Sequence, residues 1–376
     1  MSFFPPCGRA CLRARLAALA LIFLISSACS VSPELPVKKP VVAPTLISVV
    51  AVGDMMLGTN FPKNRLANDD GKGLLSQVVT TLAGADIIFG NLEGSLLAEG
   101  EPRKQCKDMN RCYLFRSPPH YAEHFKQAGF NVLSLANNHA QDFGAEGAQE
   151  SMRHLAKAGI QHTGQEGDIA SWTAKGLNIA VIAYAPFIGS HDFLDTKKAQ
   201  QQIKELASLH DVVVVSMHAG GEGLDALHVP FKEEFFYGEN RGDVVAFAHA
   251  VIDAGADLVI GHGPHVPRAL ELYKDRLIAY SLGNFCTYSG ISIVGNKGLA
   301  PILKLSMDDH GRFITGKIVS ARQLRPVGTV LDDSHQAAQL IKKLTEQDFS
   351  QTNLAISEEG HIKRKAPLAK SLGKAQ

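Results

Sequence analysis

The chain has 376 residues, 45% of them hydrophobic, with 38 basic against 37 acidic side chains and a formal net charge of +1. This composition is that of a globular protein, long enough for one large domain or two small ones. The even charge balance gives no electrostatic footprint for nucleic acid, so no nucleic-acid partner is expected.

Residues 1–29 are predicted to be a secretory signal. Arginines precede an apolar run over residues 16–25, and small residues follow it, in a run too short and wrongly flanked for an ordinary spanning helix. The stretch "ISSAC" indicates a bacterial lipobox with Cys29 as the lipidated residue, although Ser26 stands where a Leu is usual. Plain cleavage and a retained amino-terminal anchor are the alternatives. We therefore expect an exported protein of the cell envelope, lipid-anchored and facing the periplasm, with the Pro/Val-rich residues 30–44 as its tether.

Residues 45–350 are predicted to form one α/β domain. Short runs rich in Val, Ile and Leu alternate with stretches of helical spacing, which indicates a sheet covered by helices on both faces. In chain order the predicted strands are "LISVVAVGD", "ADIIFGN", "NVLSLAN", "LNIAVIAY", "DVVVVSMH", "ADLVIGH" and "RLIAYSLGN". The predicted helices are "GLLSQVVTTLAG", "PPHYAEHFKQAG", "GAEGAQESMRHLAKAG", "TKKAQQQIKELASLH" and "NRGDVVAFAHAVIDAG". A hairpin around residues 309–311 and a closing helix in "DSHQAAQLIKKLTEQDF" follow, and the basic residues 351–376 are expected to be disordered.

Two of the cysteines beyond the signal region, Cys106 and Cys112, lie close together in "KQCKDMNRCYLF". In an oxidising compartment they predict a small disulfide-closed loop, and two free thiols are the alternative. Zinc-finger spacing is absent, so the cysteines do not predict a metal site.

Five predicted strands end in side chains that bind metals. Open α/β sheets build their sites at the carboxyl ends of strands, so these side chains are expected to meet. A mixture of carboxylate, amide and imidazole groups suits two divalent ions such as Zn, Mn or Fe, which together bind a phosphoryl oxygen and activate water. In chain order the residues are Asp54; Asn91 and Glu93; Asn137, Asn138 and His139, with Asp142 beyond; His218, with Glu222; and His262 and His265.

Several of these residues also fit a purely structural role. Asp54 and Glu93 suit helix or turn caps, and Asn137 is more typical of a turn than of a ligand. Asp142 and Glu222 suit either support of a ligand histidine or ordinary loop polarity. Asn284, in "SLGNF", suits either a site lining or a chain turn. Three other histidines are expected at the surface: His228, His249 and His310.

The motifs "GDMMLG", "GNLEG", "LANNHAQDFG", "MHAGGE", "GADLVIGHGPHV" and "YSLGNF" resemble the ordered motifs of the CapA family of poly-gamma-glutamate and capsule biosynthesis proteins. That family is related to the calcineurin-like metallophosphoesterases, and the resemblance covers roughly residues 46–324. It implies a four-layer α/β/β/α sandwich with a dinuclear metal site, a role with an anionic envelope polymer, and other capsule-synthesis proteins as candidate partners.

Carried over position by position, the resemblance implies a ligand set and an acid. Met56 stands where the first motif of the superfamily has a histidine, and the three-residue spacing of the last histidine pair leaves open which ion His262 serves. His139 would protonate a leaving group. The implied ligands are Asp54, Glu93, Asn138, His218, His262 and His265. The residues expected to support them are Asn91, Asp142 and Glu222.

Two functions of different class follow. The first is a metal-dependent hydrolase or transferase that acts on a phosphoester, or on an amide bond in an anionic envelope polymer. The second is a non-catalytic accessory protein that binds and guides the nascent polymer. Met56 motivates the second, because a site that has lost a ligand can keep binding without turnover.

Overall fold

The computed structural model describes residues 44–104 and 112–365. The predicted signal, the tether up to residue 43 and Cys106 lie outside these ranges, so the predictions made for them stay predictions. Cys112 is disulfide-bonded. Within the described ranges, none of the helices combines the length and the apolarity that crossing a membrane requires.

The first of two large sheets has nine strands. Its order is β23, β24, β20, β19, β1, β4, β7, β8, and β18 also pairs with β1. The strands are β1 (Ile47–Met56), β4 (Ile87–Leu92), β7 (Val132–Ser134), β8 (Gln161–Thr163), β18 (Asn284–Thr287), β19 (Ile302–Met307), β20 (Phe313–Val319), β23 (Leu354–Ile356) and β24 (His361–Arg364).

The second large sheet has seven strands in the order β11, β10, β12, β15, β17, β16, with β9 pairing β10. They are β9 (Ala170–Ala174), β10 (Leu177–Ala185), β11 (His191–Asp192), β12 (Val212–His218), β15 (Leu258–His262), β16 (Leu270–Tyr273) and β17 (Arg276–Ala279). Four two-stranded pairs complete the described strands: β2 (Gly58–Thr59) with β3 (Arg65–Leu66), β5 (Ser95–Leu96) with β6 (Arg116–Ser117), β13 (Glu234–Phe236) with β14 (Glu239–Gly242), and β21 (Ala321–Leu324) with β22 (Gly328–Leu331).

The two sheets pack face to face, and helices cover their outer faces. Apolar side chains of both sheets form the core between them, which explains why central strands such as β12 are buried along their whole length. The first three helices pack on the nine-stranded sheet and the next two on the seven-stranded sheet, so the expected four-layer α/β/β/α sandwich is confirmed. The helices are α1 (Val79–Leu82), α2 (Tyr121–Gln127), α3 (Gly144–Lys157), α4 (Thr196–Leu209), α5 (Val244–Ala254) and α6 (Gln336–Asp348), with 3₁₀ turns at Leu224–Ala226 and Gly295–Gly298.

The first predicted helix, over residues 73–84, is wrong for most of its length. Only Val79–Leu82 is α-helical, and turns precede it. The Asp69 carboxylate accepts hydrogen bonds from the backbone N–H groups of Gly71 and Gly73, an arrangement that competes with helix formation. The last predicted strand, over residues 276–284, is also divided. It ends as β17 in one sheet, and Asn284 begins β18 in the other.

The expected disorder of residues 351–376 is wrong for the part that the structure describes. Leu354, Ile356 and Ile362 are buried in the core between the sheets, on two paired strands that extend the nine-stranded sheet. In β24 the basic side chains on either side of Ile362 are exposed. The basic composition concealed a period-two pattern of burial, which is the pattern of a strand with one buried and one exposed face.

Candidate metal centre

Strand register brings together the side chains that the sequence spreads over the chain. In the nine-stranded sheet, Asp54 on β1 lies beside Asn91 on β4 and beside Asn284 on β18. In the seven-stranded sheet, His218 at the end of β12 lies beside His262 at the end of β15. All five residues are buried, so the site lies where the carboxyl ends of strands from the two sheets meet.

Asp54 contacts side chains that come from both sheets. Its Oδ1 accepts a 2.9 Å hydrogen bond from Asn91 Nδ2 and lies 3.3 Å from His262 Nδ1, while its Oδ2 lies 3.1 Å from His265 Nδ1. Burial raises the pKa of this carboxyl, but the contacts with His262 and His265 outweigh burial and hold the pKa well below its usual range. Asp54 is therefore a carboxylate.

Glu93 is a buried acid without a hydrogen-bond partner. Both of its carboxyl oxygens lack one among the described residues, and Oε1 lies 3.6 Å from His265 Nε2. Burial raises its pKa to about 8, helped by the charges of Asp54 and Glu222 and opposed by His265. Burial lowers the pKa of His265, but the neighbouring acids, Glu93 first among them, outweigh it and raise that pKa to about 10. Glu93 and His265 are thus a coupled acid–base pair that holds at least one proton at neutral pH when no cation is bound.

Other buried polar atoms at the same place also lack hydrogen-bond partners within residues 44–104 and 112–365. They are Asn138 Oδ1, His218 Nε2 and both ring nitrogens of His262. Burial holds the pKa of His218 well below its usual range, so this imidazole is neutral and offers a lone pair. Unsatisfied buried polar atoms cost free energy, and a cluster of carboxylate, amide and imidazole donors is a fit for divalent cations. Asp54, Glu93 and His265 offer one ligand atom each, all within 4.8 Å of one another.

The "GHGPH" loop depends on two glycines. A Cβ at Gly261 would lie 2.2 Å from the carbonyl oxygen of Tyr280, and Gly263 has φ +109°. His265 itself adopts a left-handed φ of +57°. Its Nδ1 lies 2.9 Å from Asn284 Oδ1, and Asn284 Nδ2 donates to the His265 carbonyl at 3.3 Å. The loop thereby turns both of its histidines towards Asp54, and Asn284, which the sequence left open, lies in the site and orients His265.

His139 forms a dyad with Asp142, whose Oδ2 lies 2.8 Å from His139 Nδ1. The same carboxylate accepts a hydrogen bond from the backbone N–H of Phe115, and its Oδ1 lies 3.1 Å from Lys104 Nζ. Lys104 Nζ also donates to the Asn138 carbonyl at 3.0 Å, and the Phe115 ring packs on the His139 ring with centroids 4.2 Å apart. Burial lowers the pKa of His139, partly offset by Asp142, so the resting imidazole is neutral.

The remaining predicted residues support the centre through hydrogen bonds and charge contacts. Asn137 donates to Asn91 Oδ1 and to the Leu92 carbonyl, and its own Oδ1 accepts from the His139 N–H, so it both turns the chain and braces the site. Glu222 Oε2 lies 3.8 Å from His265 Nε2, and Glu222 Oε1 accepts a 2.8 Å hydrogen bond from a guanidinium N–H of buried Arg241.

Met56 does not replace the missing histidine as a polar group. It is fully buried and packs with Phe115 and Ile291 in a small apolar cluster. Phe115 in turn contacts the His139 ring. The position that holds a histidine in the superfamily motif thus supports the packing of the dyad.

A groove of about 620 Å³ opens beside the centre. Arg103 and Lys104 contribute positive charge to its lining, and Ile188 and Leu194 contribute exposed apolar surface. Asn138, one of the predicted ligands, also lines the groove. The groove therefore borders the candidate centre.

Sequence reasoning missed Lys104, Phe115 and Arg241. Lys104 and Phe115 lie on either side of the segment with the two cysteines, where no strand ending marks them. Arg241 lies in β14, where its guanidinium lies 4.8 Å from the centre of the Phe187 ring. Of the histidines expected at the surface, His228 is exposed and pairs with Asp348.

The fold and the ligand cluster define an α/β/β/α sandwich with a buried candidate metal centre, and comparisons give its family. The family "Bacterial capsule synthesis protein PGA_cap" matches residues 48–289, so this chain belongs to that family. The chain is 27% identical over 323 residues to the capsule biosynthesis protein CapA of Bacillus anthracis, covering 79% of this chain and 73% of the relative. It is 27% identical over 320 residues to the PGA biosynthesis protein CapA of Bacillus subtilis, covering 80% and 78%.

A third relative and two solved structures are also similar. A probable polyglutamine synthesis accessory protein of Mycobacterium tuberculosis is 30% identical over 269 residues, which cover 64% of this chain and 65% of the relative. A 5'-nucleotidase precursor from Thermus thermophilus has a TM-score of 0.38 at 13% identity, covering 76% of this chain and 54% of its own. A purple acid phosphatase from yellow lupin has a TM-score of 0.38 at 11% identity, covering 74% and 52%. The chain thus spans about half the length of these two structures.

Proposed function

We propose that this chain is an exported, metal-dependent hydrolase or transferase that makes or processes an anionic polymer of the cell envelope, of the poly-gamma-glutamate type. The observation that carries the proposal is the cluster of buried ligand atoms without hydrogen-bond partners among the described residues, on Glu93, Asn138, His218 and His262. Such atoms are costly to bury unless a cation binds them. Names of the similar proteins support the polymer class.

The ligand cluster offers ligand atoms for two divalent ions. Asp54, Glu93 and His265 would hold one divalent ion, and His218, His262 and Asn138 complete the set for a second. A divalent pair supplies Lewis acidity and lowers the pKa of water. The Glu93–His265 pair must give up the proton it holds before both groups can bind a cation, which ties occupancy of the centre to pH.

His139 is the group that moves a proton to the leaving atom. Asp142 fixes its ring through Nδ1, which leaves Nε2 for the substrate. The pKa of His139 is lowered in the free protein by burial, and an anionic substrate close to the ring would raise it towards the protonated form. Lys104 is a positioning residue, because it holds Asp142 and the carbonyl of Asn138 together.

The groove supports an extended, negatively charged substrate. Arg103 and Lys104 offer charge-assisted contacts for carboxylate or phosphate groups, while Ile188, which is 93% exposed, offers apolar contact. These two basic groups give the groove local positive charge although the net charge of the chain is only +1, and Glu239 adds one acidic group to the same lining.

A second function, that of a non-catalytic accessory protein that binds and guides the polymer, draws on Met56. An apolar side chain at a position that carries a histidine in the superfamily motif reduces the ligand set, and a reduced site can retain an ion for carboxylate recognition alone. The two functions differ in what His139 does, because proton transfer needs its imidazole and ion-mediated binding does not.

The test compares turnover with polymer retention in the full chain loaded with Mn²⁺ or Zn²⁺. The substrates are poly-gamma-glutamate and an aryl phosphodiester, and the variants are Glu93→Ala, His218→Ala and His139→Asn. His228→Ala is the matched control, since His228 is a surface histidine that is not one of the residues of the candidate centre. We expect the first two variants to lose metal and turnover, and His139→Asn to keep metal and polymer retention while turnover falls about 100-fold or more.

Two results would separate the functions. Unchanged turnover in Glu93→Ala and His218→Ala rules out the metal-dependent enzyme. Retention of polymer without any turnover in the metal-loaded parent chain, unaffected by His139→Asn, establishes the accessory function.

Export and membrane anchoring are part of the proposal and rest on residues 1–29. A Cys29→Ser variant expressed beside the parent chain tests them by labelling with a radioactive fatty acid and by fractionation. Label on the parent alone supports lipidation, whereas cytoplasmic accumulation of an unprocessed parent chain rules out export.

A further inference from the structure

A second group of metal-binding side chains lies on the outer face of the fold. Asp70, in the loop before α1, faces His120 and His124 at the start of and within α2. One ligand atom from each residue lies within 4.8 Å of the others, a property shared in the described chain only with Asp54, Glu93 and His265. None of the three belongs to the ligand set of the centre.

The contacts show that both imidazoles are directed at one residue. His120 Nε2 lies 2.7 Å from Asp70 Oδ2, and His124 Nε2 lies 2.8 Å from the Asp70 carbonyl oxygen. Spacing of four residues places the two histidines on the same side of a helix, one turn apart. The Asp70 side chain and carbonyl are both available to them because Asp70 adopts a left-handed φ of +60°.

The neighbouring acid cannot take this place. The Asp69 carboxylate is already engaged by the backbone N–H groups of Gly71 and Gly73. No lysine or arginine of residues 44–104 or 112–365 pairs with Asp70, and its carboxylate interacts with His120 and with the Tyr121 hydroxyl. His124 Nδ1 is buried and has no hydrogen-bond partner in that part of the chain.

We propose that Asp70, His120 and His124 form a separate binding site for a borderline transition ion, of which Zn²⁺ is the representative. Two imidazoles and one carboxylate are a donor set that Zn²⁺, Cu²⁺ and Ni²⁺ prefer, and one that Mg²⁺ and Ca²⁺ do not. Binding links the loop at Asp70 to α2. The site is independent of the proposed activity, since its ligands take no part in the centre.

Counting bound ions tests the proposal. Full-length chains are dialysed against buffered Zn²⁺, and bound zinc is measured by elemental analysis in the parent, His120→Ala and Asp70→Asn. Asn keeps the size of Asp and tolerates a left-handed φ, and the His120 side chain is 54% exposed, so both variants are expected to fold. His228→Ala is the matched control, because His228 Nδ1 also lies 2.7 Å from an aspartate oxygen but is not in a cluster of three such groups.

We expect His120→Ala and Asp70→Asn each to bind one zinc ion fewer than the parent, or to bind it at least tenfold more weakly, while His228→Ala matches the parent. The electron paramagnetic resonance spectrum of Cu²⁺ bound to Glu93→Ala should show coupling to imidazole nitrogen, and adding His120→Ala should weaken that coupling. Equal zinc content and affinity in the parent, His120→Ala and Asp70→Asn would overturn the proposal. So would a nitrogen signal of the same intensity in Glu93→Ala and in the double variant.

Discussion

Metal binding at the centre should depend on pH, and the dependence should become weaker when Glu93 is replaced by Gln. The pKa of Glu93 is raised to about 8 and that of His265 to about 10, and the charge of Glu93 is the largest contribution that raises the second, so the pair holds at least one proton at neutral pH. Asp54 is a carboxylate and His218 is neutral, so neither contributes a proton. Binding of the first ion to both groups must therefore release at least one proton.

The magnitude follows from linkage. Each released proton adds a slope of about one to the logarithm of the association constant against pH, or about 1.4 kcal/mol per pH unit. The parent chain should bind Mn²⁺ at least about tenfold more tightly for each unit of pH gained between about pH 5.5 and 7.5. Glu93→Gln carries no titrating carboxyl and removes the charge that raises the pKa of His265 most, so its slope should be smaller than that of the parent, whatever its absolute affinity.

The assay is titration of free Mn²⁺ by electron paramagnetic resonance at a series of pH values. Glu205→Gln, an exposed glutamate on α4, serves as the control and should keep the parent slope. Equal slopes in the parent and Glu93→Gln would refute the reasoning, because Glu93 would then not bind as a carboxylate that loses its proton. If the affinity of the parent for Mn²⁺ did not depend on pH, neither Glu93 nor His265 would release a proton on metal binding.

Three further outcomes are expected. Arg268 is fully buried and its guanidinium binds both carboxylate oxygens of Glu234, so Arg268→Met should lower the free energy of unfolding by about 3 to 5 kcal/mol in urea titrations, and a loss below 1 kcal/mol would contradict it. Gly261→Ala places a Cβ 2.2 Å from a backbone carbonyl oxygen, so it should cost about 3 kcal/mol or more and weaken metal binding, and parent-like values would show that the loop can yield. For Asp86, burial raises the pKa but the contacts with Lys175 and a serine lower it overall, so its stabilising contribution is complete above the unfolded value of 3.8 and is lost as pH falls through the lower folded pKa. Asp86→Asn should therefore flatten the acid limb of the unfolding curve, and an unchanged acid limb would contradict this.

The fold could be predicted from the sequence where burial has a strong period. Strands such as β12, with four consecutive valines, and helices such as α4 were found almost to the residue, because each element buries one continuous apolar face. Prediction was wrong where local hydrogen bonds or a long-range partner decide. Asp69 accepts backbone hydrogen bonds that favour turns at the start of the first predicted helix, and β24 is a strand because both β20 and β23 pair with it.

The positions of the ligand residues at strand ends could be predicted, but their contacts could not. Sequence order alone predicts that Asp54, His218 and His262 lie near strand ends. It does not contain the register that places Asp54 beside Asn284, because that pairing requires the chain to leave one sheet after β17 and enter the other as β18. The function of Asn284 as a support for His265 is a product of that crossing.

The same crossing explains why the three-residue spacing of the last histidines does not exclude either of them from the centre. His262 ends β15 and approaches Asp54 Oδ1, whereas His265 lies in a loop, in a left-handed conformation, and approaches Oδ2 of the same carboxylate. In a strand, side chains two residues apart point to the same face, whereas side chains three residues apart point to opposite faces. If β15 continued as a strand, His265 would therefore point away from the site. Gly263 and the left-handed turn at His265 return it to the site, and Asn284 holds it there. With this spacing, the two histidines face different oxygens of Asp54, and both imidazoles remain available to a cation.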